Sequence, residues 1–246
     1  MAISHLQPVE SPVAINFDAE RLSRAWLTVA VACATEGPHS RQIIVEHYPQ
    51  LGVRLVGTDG YILLTAFVPD ETMEEMGDWW PSLDELPEET YVVSDEDKRG
   101  LDLLKFAFRT VKPSGSEPKT VTLTIGAHGP EAGQFENMSR KAFSLEFPAD
   151  DPISESVSLG VIEREVADWR GLFASLGSSA PVHEVQLATS LVLKRLADIG
   201  THWPTTAVRI EFTGPSRLFR IVVPQSFYGI EIVGCAMPQN IEDRED

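Results

Sequence analysis

The fold of this chain is decided by one stretch of sequence, residues 53–63, which reads VRLVGTDGYIL. Both ends of the stretch are rich in apolar and β-branched residues, which favour strands. Between them, Thr58-Asp59-Gly60 is a turn signal, because an Asp side chain can accept hydrogen bonds from the backbone that follows it and Gly tolerates a positive φ. The sequence therefore predicts a β-hairpin with strands at 53–57 and 61–68.

The segment before this hairpin predicts a helix with a strand on either side. A short β-type run at 14–17 is followed by Asp18, a good N-cap residue, and then by apolar residues at helical spacing. Gly37-Pro38 ends the helix, and 41–46 has the pattern of another strand. Together with the hairpin, these elements make a unit of one strand, one amphipathic helix and three strands.

The same unit occurs three times along the chain. In the second copy, Ser94 and an acidic first turn begin the helix. In the third copy, Thr189 or Ser190 is the cap and Gly200 ends the helix. The predicted strands of these two copies lie at 91–93, 121–125, 142–147 and 157–162, and at 182–187, 208–212, 218–223 and 228–233.

The arrangement of the repeated unit predicts the fold class. Each helix is followed by strands joined by short turns and not by further helices, which is typical of antiparallel pairing. We therefore predict an α+β fold of βαβββ repeats, with antiparallel sheets and helices on one face. The predicted domains are an N-terminal tail (1–13), a complete domain of two units (14–175, with an acidic insertion at about 70–90), a half domain of one unit (176–240) and an acidic tail (241–246).

Charge and composition exclude several classes of protein. The 246 residues carry a net charge of −17, which argues against a protein that coats nucleic acid with its whole surface. Residues 70–102 contain 13 of the acids and two bases, so a local basic surface can exist elsewhere. No apolar stretch of about 18 residues and no secretory leader is present, and the two cysteines are far apart in the sequence. These features predict a cytoplasmic protein without a membrane segment.

The sequence contains none of the common catalytic or cofactor motifs. Its six histidines lack metal-ligand spacing, and HExxH, GxSxG, Walker A and GxGxxG do not occur. Asp59, Asp168 and the carboxylates at 70–89 are interpreted as turn and surface residues, because spacing alone does not pair them as a general acid and base. We therefore expect no enzyme, no metal and no cofactor.

Three segments resemble the bacterial sliding clamp, the β subunit of DNA polymerase III. Residues 53–63 are similar to a strand, T-D-G turn and strand in its middle domain, and 165–172 (EVADWRGL) to the segment that leads out of that domain. Residues 230–238, which end in Met237-Pro238, are similar to its C-terminal strand with an M-P motif. The resemblance covers about 14–240 and implies a shortened clamp of about one and a half domains, a processivity factor that forms oligomers.

The resemblance also implies an apolar pocket that receives a short peptide from a polymerase or a clamp loader. Gly permits close backbone approach, Met adapts to different partners, and apolar walls desolvate an inserted Leu or Phe. The alternative interpretation is an ordinary turn and a terminal strand that packs in the core. The implied pocket residues are Thr58, Gly60, Tyr61, Ile62, Leu63, Met237 and Pro238.

A clamp holds DNA through Lys and Arg side chains on helices that face the phosphates, so binding is independent of base sequence. Arg21 and Arg24 are three positions apart, and Lys105 and Arg109 are four apart, so each pair shares a helix face. The alternative is that these bases lie on ordinary solvated helix faces. The candidates for backbone contacts are Arg21, Arg24, Lys98, Arg99, Lys105, Arg109, Lys112, Lys194 and Arg195.

Two functions follow from these expectations. The first is a sliding-clamp-like replication accessory protein that binds DNA nonspecifically and recruits a polymerase or other replication proteins. The second is a clamp-like adaptor or inhibitor that binds the peptides without DNA. An enzyme with an unrecognised carboxylate site is a third possibility and would require a deep polar cleft. Strand edges left open by the half domain favour a homo-oligomer.

Overall fold

The structure is a computed structural model that describes residues 13–33, 42–71, 81–94, 120–128, 141–146, 156–162, 168–176, 178, 187, 192–202, 207–214, 218–223 and 230–236. Three helices lie in these ranges: α1 (Ala19–Ala32), α2 (Trp169–Ala174) and α3 (Lys194–His202). The strands are β1 (Val13–Asp18), β2 (Gln42–Tyr48), β3 (Gly52–Thr58), β4 (Ile62–Pro69), β5 (Glu89–Ser94), β6 (Thr120–His128), β7 (Lys141–Glu146), β8 (Ser156–Ile162), β9 (Arg209–Glu211), β10 (Phe219–Val223) and β11 (Glu231–Ala236).

The eleven described strands form one sheet, in the order β1-β6-β7-β8-β5-β2-β3-β4-β11-β10-β9. Every pairing between them is antiparallel. The predicted hairpin is confirmed, with Thr58 opposite Leu63 across β3 and β4. The helix predicted after Ser94 and the strand predicted at 182–187 lie outside the described residues, apart from Leu187. The prediction of α+β architecture with antiparallel strands is confirmed.

The first two units are joined by exchanging their first strands. The first strand of unit one, β1, pairs with β6 of unit two, and the first strand of unit two, β5, pairs with β2 of unit one. The two pairings have the same register, because in each the last residue of the exchanged strand lies opposite the first residue of its partner strand. These pairs are Asp18 with Thr120 and Ser94 with Gln42. Each unit therefore completes the sheet of the other.

The third unit continues the same sheet through its last strand. Strand β11 pairs with β4, the last strand of unit one, and places Ala236 opposite Ile62. Close approach of the two strands requires a residue without a side chain, because a Cβ on Gly234 would lie 2.4 Å from the carbonyl oxygen of Leu63. The third unit thus extends the sheet of the first two units across the β4–β11 junction.

Helices α1 and α3 cover one face of this sheet and lie beside each other. The Asp18 carboxylate begins α1 by accepting a hydrogen bond of 2.8 Å from the backbone N–H of Arg21. Leu22, Trp26 and Val29 of α1 are fully buried against the sheet. The helix approaches β3 closely where Gly57 leaves space, since a Cβ there would lie 2.4 Å from the Val29 carbonyl oxygen.

The opposite face of the sheet carries a second, smaller core. Alternate residues of the central strands, including Ile44, Val56 and Leu63, point to this side and pack against Trp169 and Phe173 of α2. This helix was not expected from the sequence. The expectation of helices on one face therefore holds for α1 and α3, whereas α2 covers the other face, because both faces of these strands are apolar.

Candidate functional site

The turn between β3 and β4 is held by its own side chains. One carboxylate oxygen of Asp59 accepts hydrogen bonds from the backbone N–H groups of Tyr61 (2.9 Å) and Ile62 (3.0 Å). Gly60 has a φ of 90°, which its lack of a Cβ permits. The other oxygen of Asp59 lies 2.5 Å from the guanidinium of Arg195 on α3. This ion pair fixes the hairpin tip to the helix of the third unit.

An apolar seam lies where β4 meets β11. Leu63 and Cys235 are directly opposite each other, and both are buried in the smaller core under α2. Burial raises the pKa of the Cys235 thiol to about 11, so it is a neutral, apolar wall at ordinary pH. Val233 of β11 packs against the same core and is partly buried. We use the name seam site for Leu63, Val233 and Cys235 together with Tyr61, two positions before Leu63, and the α2 residues Trp169, Leu172 and Phe173.

Helix α2 lies over this seam and exposes one large apolar side chain. Asp168 begins the helix by accepting a hydrogen bond of 2.9 Å from the backbone N–H of Gly171. Trp169 and Phe173 point inward and pack edge to face, with ring centroids 5.9 Å apart. Leu172 lies between these positions on the outer side and is 44% exposed. Helix α2 therefore presents one apolar side chain to solvent.

A buried carboxylate anchors α2 to the sheet. Glu46 of β2 is fully buried and accepts two hydrogen bonds from the Arg170 guanidinium, at 2.6 and 2.7 Å. It also accepts one of 3.0 Å from the indole N–H of Trp169. Although burial acts to lower the pKa of Arg170, hydrogen bonds and the charge of Glu46 raise it above its ordinary value. The pair is a bidentate ion pair in a largely dry environment, which gives α2 a defined position.

The same cluster ties down the segment at 81–85. The guanidinium of Arg54, on β3, is fully buried and donates to the carbonyl oxygens of Pro81 (2.5 Å) and Ser82 (3.2 Å). Arg170 donates to those of Leu83 and Glu85. These contacts hold the end of the acidic insertion against the face of the sheet that α2 covers.

The hydroxyl of Tyr48 links the two arginines of this cluster. It accepts from both guanidinium groups and donates to the Glu46 carboxylate at 3.1 Å. Burial raises the pKa of Tyr48 to about 12, so the hydroxyl keeps its proton at neutral pH. A protonated hydroxyl can make all of these bonds together.

The structure brings some of the expected pocket residues together and separates others. Tyr61 is 56% exposed at the hairpin tip, two positions before buried Leu63. Ile62 points to the opposite face and is buried in the core beneath α1, because successive side chains of a strand alternate. The Thr58 hydroxyl donates to the carbonyl oxygen of Ile62 at 2.9 Å, and Gly60 is exposed. Met237 and Pro238 follow Ala236, the last residue of β11, and lie outside the described residues.

Several residues of the seam site, Leu172 and Cys235 among them, were not indicated as site residues by the sequence. Leu172 lies within the 165–172 segment, but its exposure depends on the helix that forms there. Cys235 lies two positions before Met237 and reaches the seam only because β11 pairs with β4. The signal that could have found Leu172 is the Asp168 cap followed by Trp169 and Phe173 at helical spacing.

The described candidates for DNA contact differ in their surroundings. Arg24 on α1 is 7% exposed, binds the Glu20 carboxylate at 2.7 Å and donates to the backbone carbonyl of His202 on α3. Arg195 is held by Asp59, as described above. Arg21 is half-buried, and Lys194 is exposed at the start of α3. Lys98, Arg99, Lys105, Arg109 and Lys112 lie outside the described residues.

The residues that the structure describes contain neither a metal-binding cluster nor a membrane-spanning helix. No group of three or more His, Cys, Asp or Glu side chains is arranged to hold a metal ion in the part of the chain that the structure describes. Among the helices in the same ranges, none has the length and apolar character required to cross a membrane.

Comparison with known proteins identifies the fold. No family model and no curated protein matches the sequence. The structure matches the DNA polymerase III β subunit of Thermotoga maritima (TM-score 0.54, 16% identity), covering 96% of this chain and 68% of that one. It matches the sliding clamp of Pseudomonas aeruginosa (TM-score 0.56, 12% identity, 98% and 69% covered) and subunit β of Borrelia burgdorferi (TM-score 0.54, 10% identity, 98% and 67% covered). The chain therefore has the fold of the bacterial DNA polymerase III β sliding clamps, over about two thirds of their length.

Proposed function

We propose that the chain is a clamp-type replication accessory protein that recruits partners by binding a short apolar peptide at the seam site. The observation that carries this proposal is the exposure of two apolar side chains: Tyr61, two positions before buried Leu63, and Leu172, on the helix whose Trp169 and Phe173 pack with Leu63 and Cys235. The seam site lies at a junction between units of a clamp fold. The proposed role is non-enzymatic, because it consists of holding partners together.

The physical basis for peptide binding is the combination of apolar side chains and a rigid frame. A Leu or Phe side chain that packs on Tyr61 and Leu172 leaves water and contributes about 1.5–3 kcal/mol. The frame is rigid because the Glu46–Arg170 pair holds α2 and the Asp59–Arg195 pair holds the hairpin. A rigid site loses little conformational entropy on binding.

We propose that the helix side of the sheet contacts DNA through phosphates. Lys194, exposed at the start of α3, is the described residue that supports this. The remaining cationic surface would come from Arg21 and from the candidate bases outside the described residues. Such contacts are independent of base sequence and weaken as salt concentration rises.

A second candidate function, an adaptor that binds peptides without DNA, is favoured by a specific observation. Arg24 and Arg195, two of the described candidate bases, are used in contacts between α1, α3 and the hairpin. The net charge of −17 also opposes close approach to DNA. Which of the two functions applies is decided by DNA retention.

Peptide binding is tested by fluorescence anisotropy with a labelled synthetic peptide that carries adjacent Leu and Phe residues. Tyr61→Ala and Leu172→Asp are expected to weaken binding by about tenfold or more, because each removes apolar contact area at the seam. Leu86→Asp is the matched control, since Leu86 is 77% exposed in the 81–88 segment and should not affect affinity. If all three variants bound the peptide with the same affinity as the native chain, the proposal that the seam site binds the peptide would be wrong.

DNA retention is tested separately on closed circular DNA at low and high salt. A clamp is retained on the circle, and retention decreases when Lys105 and Arg109 are both changed to Ala, by a similar amount for all DNA sequences. Peptide binding without retention at any salt concentration would assign the adaptor function.

A further inference from the structure

A row of side chains crosses the sheet from the seam site to strand β9. Leu63 of β4 lies opposite Cys235 of β11, and Cys235 lies opposite Arg220 of β10. Arg220 in turn lies opposite Glu211 of β9. Directly opposite residues of antiparallel strands share one face of the sheet. Arg220 and Glu211 are therefore on the same face as the seam site.

A second row runs beside the first. Val233 of β11 lies opposite Val222 of β10, and Val222 lies opposite Arg209 of β9. Each of these residues is two positions from a member of the first row, so both rows share one face. Val233 and Val222 are partly buried, whereas Arg209 is exposed. Apolar surface thus continues from the seam site up to two arginines.

The two arginines of these rows share one carboxylate. Nε of Arg209 lies 3.0 Å from one oxygen of Glu211, and a terminal guanidinium nitrogen of Arg220 lies 3.8 Å from the other. The Arg209 side chain is 61% exposed and that of Arg220 is 43% exposed, so water reaches both guanidinium groups. Two positive groups and one negative group leave a local excess of positive charge in a chain whose net charge is −17. Because an exposed ion pair contributes little to stability, these arginines can bind a second carboxylate or exchange Glu211 for it.

We propose that Arg209 and Arg220 form a carboxylate subsite of the seam site, which selects peptides that carry Asp or Glu near their apolar residues. This inference rests on the proposed function of the seam site and adds the class of peptide that the site takes. A guanidinium presents a fixed fork of N–H donors that matches a carboxylate. Val222 lies two positions from Arg220 and opposite Arg209, so an apolar side chain adjoins both arginines and reduces the water that competes with the carboxylate.

The spacing of the strands gives the position of the carboxylate in the peptide. Neighbouring strands lie about 4.8 Å apart, so Arg220 on β10 is about 10 Å from Leu63 on β4 along the row. An extended peptide advances about 3.3 Å per residue, so about three residues of a peptide that lies along the row span this distance. The carboxylate should therefore be about three positions from the apolar residue that packs on the seam site.

Fluorescence anisotropy with matched synthetic peptides tests this proposal. Each peptide carries adjacent Leu and Phe residues, and the second and third residues on either side of them are all Glu, all Gln or all Lys. We expect the Glu peptide to bind about fivefold more tightly than the Gln peptide, which corresponds to about 1 kcal/mol, the upper range for an exposed ion pair. The Lys peptide should bind more weakly than the Gln peptide. The preference for Glu should decrease at about 1 M salt, where the Debye length is about 3 Å.

Variants with opposite expected effects separate recognition of the carboxylate from a change in stability. Arg220→Gln should bring the affinities for the Glu and Gln peptides close together, and Arg220→Lys should retain part of the difference. Glu211→Gln should increase the preference for the Glu peptide, because it removes the carboxylate that competes for both guanidinium groups. Glu88→Gln is the matched control, since it also removes an exposed negative charge but lies outside both rows, and it should leave the preference unchanged.

The outcomes distinguish this inference from the proposed function. Equal binding of the three peptides by the native chain, with affinity still lost in Leu172→Asp, would overturn this inference alone. If none of the peptides bound, the proposed function and this inference would both be wrong. An unchanged preference in Arg220→Gln would also overturn the carboxylate subsite. So would a preference that appears only after residues 241–246 are removed, because the acidic residues of the chain itself would then be the occupant.

Discussion

The buried carboxylate of Glu46 provides the strongest test of how this structure is held together. We consider the change Glu46→Gln, which retains the size of the side chain and removes its charge. In the native protein, this carboxylate accepts hydrogen bonds from Trp169 and Tyr48 and two from Arg170. The amide of the variant has one acceptor oxygen, and its NH₂ group would face a guanidinium N–H. Arg170 would lose its counter-charge.

The expected loss of stability follows from the exposure of the two partners. Removing one member of a buried ion pair costs about 3–5 kcal/mol. The Glu46 side chain is 1% exposed, but that of Arg170 is 20% exposed, so water compensates part of the loss. We therefore expect the free energy of unfolding to fall by about 3 kcal/mol. Glu88→Gln, which changes an exposed carboxylate, should alter it by less than about 0.5 kcal/mol.

Equilibrium unfolding in urea at one fixed protein concentration measures both variants, since association would otherwise shift the result. Arg170→Met and the double variant complete a double-mutant cycle, in which we expect a coupling energy of about 2–3 kcal/mol. A loss below about 1 kcal/mol for Glu46→Gln, or additive effects in the cycle, would refute the conclusion that this pair anchors α2.

Two further predictions concern packing and pH. Gly57→Ala should destabilise the protein by about 2–3 kcal/mol, because its Cβ would lie 2.4 Å from the Val29 carbonyl oxygen. The control Gly200→Ala should stabilise α3 by about 0.5–1 kcal/mol, because its Cβ would meet nothing within 4 Å. Equal effects of the two variants on the urea midpoint would contradict the close approach of α1 to β3. Burial lowers the pKa of His47 from its ordinary value of 6.5, so the unfolded state binds the proton at a higher pH than the folded state does. The free energy of unfolding should therefore decrease as the pH falls below 6.5, by at most about 1.4 kcal/mol per pH unit. His47→Gln should reduce that slope, and an unchanged slope in urea titrations from pH 7 to 5 would contradict it.

Local signals predicted the elements of the fold but not all of their environments. The hairpin at 53–68 and helix α1 were predicted because turn residues, an N-cap and apolar spacing act within a few residues of chain. Helix α2 was not predicted, because its signal is only one cap residue, Asp168, and two apolar residues four positions apart, a pattern that loops also show. Of the candidate site, Tyr61 and Leu63 were named from the sequence, whereas Leu172 and Cys235 were not.

The sequence by itself predicted three similar units in succession, each with a strand, a helix and a set of strands. Only the tertiary structure decided which strands pair, that Ile62 and Leu63 face different cores, and that Arg24 and Arg195 bind protein groups. The physical reason is the distance along the chain between partners. Spacing and capping act over one turn or one hairpin. The pairing of β4 with β11 and the burial of Glu46 against Arg170 depend on groups more than a hundred residues apart, which meet only when the sheet has formed.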